Sequence, residues 1–331
     1  MYMNIKSKII IISSVLMLIS QVTLAQFNTK VLITDITNTS LKKKMQLNAS
    51  SFLTSLNTAF AKEKTPKISS TAMSKPAIAS VLSMWEMSNF RCYETDVIER
   101  ALKRSQGGYE VRNIPIFMKE APEDDQYQEI VIVFTNTGVI DNIYLSMETN
   151  RYNQLINEGA DVTEYRHRQI ILDFIENFRT AYNRKDIDYL NKVYSDDALI
   201  ITGRVIKVNN ANKDVSKKYM NDKIIKYQKQ SKTEYISKLK RVFAANSYIN
   251  IKFDDIEIKR HRKYPAIYGV NLKQGWNTTR YSDVGYLFLM IDFSNEDEPQ
   301  IHIRTWQPKI IGNKTLSEEE KFKLEMFNPQ K

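Results

Sequence analysis

The clearest alternation of apolar and polar positions lies near the C-terminus of the chain. Residues 267–273, 285–293 and 301–306 are rich in aromatic and β-branched side chains, which is typical of β-strands. Alternation in the second of these runs places four side chains on one face, namely Tyr286, Phe288, Met290 and Asp292. In the third run it places His302, Arg304 and Trp306 together. The pattern predicts a run of antiparallel strands.

Three amphipathic helices are predicted before these strands. In residues 163–184 the apolar positions recur at helical spacing and form one face: Ile170, Ile171, Phe174, Ile175, Phe178 and Tyr182. A short helix over 187–194 and a third helix over 232–246 follow. The remaining predictions here are a strand over 198–203, a lysine-rich helical or looped insertion over 208–230, and strands over 248–253 and 256–260.

The region before residue 148 is predicted to contain both helices and strands. Apolar spacing predicts helices over 48–62 and 93–104, the second ended by Gly107 and Gly108. Strands are predicted over 31–36, 109–116, 129–135 and 139–145. The polar segment 148–162 is the best candidate for a domain boundary. We therefore predict an α+β domain over 26–150, a second α+β domain over 163–310, and a tail over 311–331 whose residues 317–327 are compatible with a helix.

The N-terminus has the pattern of a secretory signal peptide. Lys6 and Lys8 precede the apolar run 9–19, and Thr23 and Ala25 supply small residues at a cleavage site. The alternative is an uncleaved anchor, but the run is shorter than the roughly 20 residues that span a bilayer. No cysteine lies at the predicted cleavage site after the run, so the usual lipid-anchored route is not open. The pattern predicts a signal peptide over 1–25 and export, to the periplasm or beyond it.

The amino-acid composition limits which disulfides can form and which partners are expected. Cys92 is the single cysteine of the 331 residues, so an intrachain disulfide cannot form, and its aromatic neighbours indicate a buried thiol. The formal charge of +10 comes mainly from scattered lysines, including the run 259–263. We interpret this charge as a basic solvated surface, with anion binding by the run as an alternative. No nucleic-acid-binding motif accompanies it, so nucleic acid is not an expected partner.

One stretch carries a family resemblance. Residues 174–190 read FIENFRTAYNRKDIDYL, an apolar helix followed by Tyr182, Asn183, Asp186 and a short helix. Together with the predicted order of helices and strands, this is similar to the start of the nuclear transport factor 2-like superfamily. The block 268–288 also resembles one found in uncharacterised exported bacterial proteins. The resemblance implies three helices packed in a curved antiparallel sheet, with a pocket inside and a homodimer across the sheet. The superfamily hosts isomerases, dehydratases, ligand binders and interaction modules, so the fold alone does not select a function.

The candidate binding residues cluster at the predicted hairpin loop over 277–280. They are Trp276, Tyr281, Asp283 and Tyr286, joined by Arg304 and Trp306 on the sheet. Exposed loop aromatics often recognise partners or glycans, and they also pack hairpin ends. We interpret the chain as a non-catalytic binding or interaction protein of the cell envelope, whose partner is a protein, a glycan or a small ligand.

The alternative is a small-molecule isomerase, dehydratase or hydrolase. It would use His302 with Asp292 as an acid–base pair, provided that both side chains enter one pocket. The three histidines, His167, His261 and His302, lie in different elements without partners at metal-ligand spacing, so we expect no metal site. The sequence has neither a glycine-rich phosphate loop nor a nucleophile motif, and we expect no cofactor.

Overall fold

The structure is a computed structural model that describes residues 27–104, 106–147, 149–159, 162–207 and 223–329. The predicted signal peptide and residues 208–222 of the predicted insertion lie outside this part of the chain. Two compact units are present, Met1–Thr149 and Asn150–Lys331.

The N-terminal unit consists of one mixed sheet with two helices. Its elements are β1 (Lys30–Thr34), α1 (Thr39–Ala61), α2 (Lys75–Met87), β2 (Phe90–Cys92), β3 (Asp96–Lys103), β4 (Tyr109–Met118), β5 (Tyr127–Phe134) and β6 (Ile140–Leu145). The strand order is β1-β3-β4-β5-β6, with β2 on β4, and only the β1–β3 pair among these is parallel. Asn38 and Ser74 cap the two helices by accepting backbone N–H groups.

The helix predicted over residues 93–104 is wrong. Asp96–Lys103 is strand β3, in which Val97 is buried and its neighbour Ile98 is 63% exposed. Helix-forming residues fill this segment, but pairing with β1 and β4 overrides their weak preference. Gly107 and Gly108 do not end a helix; both have positive φ and form the turn between β3 and β4.

The C-terminal unit has the predicted order of helices and strands. Helix α3 (Thr149–Asn157) leads into it, and the elements that follow are α4 (Val162–Asn183), α5 (Ile187–Val193), β7 (Tyr194–Lys207), β8 (Lys223–Gln230), α6 (Lys232–Ala245), β9 (Ile249–Arg260), β10 (Ile267–Thr278), β11 (Ser282–Asp292), β12 (Gln300–Pro308), β13 (Ile310–Ile311) and β14 (Lys314–Thr315). The main sheet runs β8-β7-β12-β11-β10-β9. Only its β7–β12 pair is parallel. The α+β fold class is confirmed.

Four details of this unit differ from the sequence prediction. Two predicted strands form the single strand β9, whose register against β10 shifts near Asp255, a residue with positive φ. The described end of the lysine-rich insertion is strand β8, and the proposed boundary segment contains helix α3. Residues 317–327 do not form an α-helix; they contain turns and a 3₁₀ turn over Leu324–Met326.

The apolar face of α4 forms the centre of the C-terminal core. Phe178 is fully buried and stacks on Phe174 at 6.0 Å between ring centroids, and on Phe253 of β9 at 6.3 Å. Tyr182, one turn further along, meets Phe178 edge-on at 4.9 Å. The helix is therefore held against the sheet by aromatic packing, as its 3.6-residue periodicity predicts.

Among the residues that the structure describes, no helix combines the length and the apolar content needed to cross a bilayer.

Candidate functional site

A cavity of about 560 Å³ lies in the C-terminal unit between helix α6 and one face of the main sheet. Strands β7, β8, β10, β11 and β12 and the β10–β11 turn contribute to its wall. Its aromatic lining consists of Tyr235, Trp276, Tyr281 and Trp306. Leu239 and Val242 of α6 add apolar surface opposite these rings.

Five of the six predicted binding residues meet at this cavity. Trp276 and Asp283 face each other across the β10–β11 hairpin, and Tyr281 lies in its turn. Arg304 and Trp306 line the cavity from β12. Their role in binding stays a prediction, but the structure places all five around one space.

The sixth residue, Tyr286, lies elsewhere. It pairs with Gln307 on β12, so its side chain is on the opposite face of the sheet from Arg304 and Trp306. There the ammonium of Lys321 lies 3.8 Å from its ring centroid. Tyr286 lines a separate polar groove rather than the cavity.

Arg304 is the most unusual residue of the cavity. It is only 5% exposed, and its Nε atom is buried without a hydrogen-bond partner. Within the described part of the chain, no carboxylate forms an ion pair with it. Its guanidinium carbon lies 5.0 Å from the centroid of the Tyr235 ring. Arginine stays protonated in proteins, so this is a buried positive charge without a counter-ion among these residues.

Three phenol side chains lie around this charge, those of Tyr182, Tyr194 and Tyr235. The hydroxyl of Tyr182 lies 2.6 Å from that of Tyr235 and 3.2 Å from that of Tyr194. Burial raises the pKa of Tyr182 and of Tyr194 well above the usual range, so both stay protonated and supply no negative charge. Burying an ion costs several kcal/mol in real proteins, whereas a cation–π contact returns about 2 kcal/mol when desolvated. The contact with Tyr235 therefore offsets only part of the cost.

The other charged groups at the cavity are also mainly cationic. The described lining contains Arg204, Lys238, Arg280 and Arg304 against one carboxylate, Asp283. That carboxylate accepts a hydrogen bond from the hydroxyl of Tyr281, and burial and this bond raise the pKa of Tyr281. The ammonium of Lys238 donates to Gln230 at 2.7 Å. The cavity thus combines an apolar aromatic wall with a positive potential.

A second buried polar atom without a partner lies at the same cavity. It is Oδ1 of Asn246, whose Nδ2 donates to the carbonyl of Val242 at 2.9 Å. Native proteins satisfy nearly all buried polar atoms, and exceptions call for an explanation. Arg304 and Asn246 both line the cavity, so its wall includes a buried guanidinium and a buried amide.

The candidate acid–base pair lies outside the cavity lining. Nε2 of His302 is 3.7 Å from Asp292, and Nδ1 is 3.8 Å from Asp197. The register of β12 shifts against β11, where the neighbours Met290 and Ile291 pair with Ile303 and Ile301, so His302 is the extra residue of a β-bulge. The alternation that groups His302 with Arg304 is therefore broken between them. The hydrogen bond from Ser195 lowers the pKa of Asp197, which keeps that carboxylate ionised beside the imidazole.

The remaining histidines make separate contacts. Nε2 of His167 lies 2.6 Å from Glu296, and its Nδ1 lies 2.9 Å from the hydroxyl of Tyr268. His261 accepts backbone N–H groups in the β9–β10 turn. Within the described residues, no group of three or more His, Cys, Asp or Glu side chains has the geometry of a metal site.

Sequence reasoning did not single out Tyr182, Tyr194 or Tyr235 as site residues. They come from α4, the start of β7 and α6, and only the fold brings their hydroxyls together. The available signal was a tyrosine on each of three predicted elements, which alone resembles ordinary core packing.

No protein-family model matches the chain, and no curated protein matches its sequence. Solved structures do match it. A nuclear transport factor 2-like protein from Cytophaga hutchinsonii has 12% identity and a TM-score of 0.30, with 43% of this chain and 97% of that chain covered. A second such protein, from Shewanella oneidensis, has 17% identity and a TM-score of 0.30, with 41% and 95% covered. Bd1075 from Bdellovibrio bacteriovorus has 13% identity and a TM-score of 0.32, with 63% and 74% covered.

The matched structures are mostly nuclear transport factor 2-like proteins, and some carry provisional dehydratase or hydroxylase names. What the C-terminal unit does has to be inferred from its own cavity.

Proposed function

We propose that this chain is an exported, non-catalytic binding protein whose C-terminal unit holds a small, largely apolar molecule. The observation that carries the proposal is the cavity of about 560 Å³, walled by Trp276, Trp306, Tyr235 and Tyr281. Small-molecule sites are typically concave spaces of roughly 300–1,000 Å³ with apolar and aromatic walls and a few polar groups. The cavity has this size and this composition.

The predicted acid–base pair, His302 with Asp292, is absent from the described lining, which supports a binding role. General acid–base catalysis needs a titratable group within hydrogen-bond reach of the reacting atom. His302 and Asp292 lie outside the lining, and the lining carboxylate, Asp283, is already bonded to Tyr281. An isomerase, dehydratase or hydrolase that uses His302 with Asp292 therefore finds no support in this cavity.

The export part of the proposal rests on the N-terminal pattern. Basic residues, an apolar run and a small-residue cleavage site precede Gln26. The mass of protein purified from its own cell tests this part directly. A mature chain beginning at Gln26 would support export, and a full-length chain retained with the cytoplasmic fraction would contradict it.

The tryptophans allow a direct test of binding. Of the three tryptophans, Trp276 and Trp306 line the cavity, and Trp85 lies in α2 of the other unit. A Trp85→Phe variant therefore reports on the cavity alone. We expect the neutral probe 4-phenylbutyramide to change its emission in a saturable way.

Two variants of α6 show whether the probe occupies the cavity. Val242 lines the cavity, whereas Ala244 is exposed on the same helix and does not. In the Trp85→Phe background, Val242→Phe should weaken probe binding at least tenfold because the added ring occupies the space, and Ala244→Phe should leave it unchanged. No saturable change, or equal affinities in the two variants, would contradict the proposed function.

A further inference from the structure

We propose that the recognised group of the ligand is a carboxylate, and that Arg304 is the residue that binds it. This inference rests on the proposed binding function and specifies the class of molecule. Arg304 is a buried cation at the wall of an aromatic cavity, and its Nε atom lacks a partner. An anion supplied by the ligand would complete the ion pair that the described residues leave open.

The groups around Arg304 favour an anion supplied by the ligand over one supplied by the protein. The polar side chains next to Arg304 are the phenols of Tyr235, Tyr182 and Tyr194, none of which is a carboxylate. Asp283, the carboxylate of the lining, is engaged by Tyr281. Charged groups buried in proteins are normally paired, so a buried guanidinium facing a cavity is expected to meet its partner there.

The chemistry of the guanidinium favours a carboxylate over other anions. Its planar donors match the two oxygens of a carboxylate in a bidentate arrangement, and one buried positive charge balances one negative charge. A phosphate monoester carries nearly two negative charges at neutral pH and usually recruits several cations or backbone N–H groups. The other cationic residues of the lining are Arg204 and Arg280, which are exposed, and Lys238, which donates to Gln230.

The rest of the ligand should be apolar. Trp276, Trp306 and Leu239 line the same space as Arg304, and aromatic walls of this kind pack against rings and alkyl chains. The expected ligand class is therefore a small monocarboxylic acid with an aromatic or aliphatic body.

Three probes with the same phenylalkyl body test this inference on the full-length protein by calorimetry. They are 4-phenylbutyrate, its neutral amide 4-phenylbutyramide, and 3-phenylpropyl phosphate. We expect the carboxylate to bind at least tenfold more tightly than the amide and more tightly than the phosphate. Equal affinities for acid and amide, or a preference for the phosphate, would overturn the inference.

Substitutions test whether Arg304 causes the preference for the carboxylate over the amide. Arg304→Met should reduce the acid-to-amide affinity ratio to about one. Arg304→Lys should retain part of the ratio, because it keeps the charge but loses the planar fork. Arg262→Gln is the matched control, since it removes one positive charge from an exposed turn residue that does not line the cavity, and it should leave the ratio unchanged. A ratio that persists in Arg304→Met would overturn the assignment.

Circular dichroism shows whether each variant is folded. If one variant does not fold, the comparison of the three probes in the unaltered protein still tests the inference.

The results also separate this inference from the function on which it rests. Binding of the amide without any preference for the acid would leave the small-molecule function intact and remove the carboxylate inference. Failure of both acid and amide to bind would contradict both.

Discussion

The guanidinium carbon of Arg304 lies 5.0 Å from the centroid of the Tyr235 ring, at the wall of the cavity in the C-terminal unit. The hydroxyl of that tyrosine lies 2.6 Å from the hydroxyl of Tyr182. The ring therefore has two roles, since its face stabilises the cation and its edge joins the phenol network. Substitutions at Tyr235 can separate these roles.

Tyr235→Phe keeps the ring and loses the hydroxyl, whereas Tyr235→Leu loses the ring. We expect Tyr235→Phe to lower the free energy of unfolding by about 1 kcal/mol, the usual net value of one hydrogen bond. Tyr235→Leu should lower it by about 1–2 kcal/mol more, because the cation–π contact is lost as well. Urea unfolding measures both values, and equal losses in the two variants would argue against a contribution from the cation–π contact.

Arg304 itself should reduce the stability of the unliganded protein. Its charge is buried, and the described residues do not supply a carboxylate partner. Removing a poorly compensated buried ion in favour of an apolar side chain of similar length is often stabilising, by about 1–4 kcal/mol. Arg304→Met should therefore raise the midpoint of thermal unfolding in the absence of ligand. A large decrease would mean that the guanidinium has a structural partner.

Gly285 allows Trp306 to lie close against the sheet. A Cβ atom at Gly285 would meet the carbonyl oxygen of Gln307 at 2.4 Å and the Trp306 ring at 2.6 Å. At Gly275, on the neighbouring strand, a Cβ atom would meet Lys252 at an ordinary 3.7 Å. We expect Gly285→Ala to destabilise the protein by about 1–3 kcal/mol through overpacking and to shift the tryptophan emission. Gly275→Ala is the matched control and should change neither, so similar effects of the two substitutions would contradict this account of the contact.

The thiol of Cys92 should be inert in the folded protein. It is 1% exposed, its Sγ donates to the carbonyl of Glu94 at 3.5 Å, and burial raises its pKa. A thiol-specific reagent at pH 8 should therefore modify no cysteine in the native state and one cysteine after unfolding. Rapid modification of the native protein would contradict the burial of this residue.

The raised pKa of the Cys92 thiol also makes the stability of the protein fall as the pH rises. Because the pKa of Cys92 is higher in the folded state, the unfolded thiol ionises first as the pH rises. Its contribution to stability is present below the unfolded pKa of about 8.5 and is lost as the pH rises toward the folded pKa. Cys92→Ala should show a smaller decrease in stability between pH 8 and pH 10 than the unaltered protein.

The spacing of apolar residues predicted the type of element correctly where it fits only one of the helical and strand periods. The apolar face of α4 follows the helical spacing through Phe174 and Phe178, and both residues are buried as predicted. The spacing did not predict β3 correctly, because its buried residues Val97 and Ala101 are four positions apart. That spacing satisfies a helix and a strand equally, and pairing with β1 decides between them.

The candidate site could be predicted only in part for a similar reason. Trp276 and Asp283 are close because a hairpin joins neighbouring strands, which a local pattern indicates. The bulge at His302 interrupts the alternation on β12 where it pairs with β11, and no local residue pattern indicates it. The approach of Tyr235 to Arg304 joins a helix to a strand distant in the chain, so it depends on the complete fold.

The most direct test of the central claim is a crystal structure of the protein with 4-phenylbutyrate bound. We expect the phenyl ring between Trp276 and Trp306 and the carboxylate within about 3 Å of the guanidinium nitrogens of Arg304. A carboxylate bound instead by the exposed Arg204 or Arg280, or a cavity that stays empty at saturating probe, would contradict it.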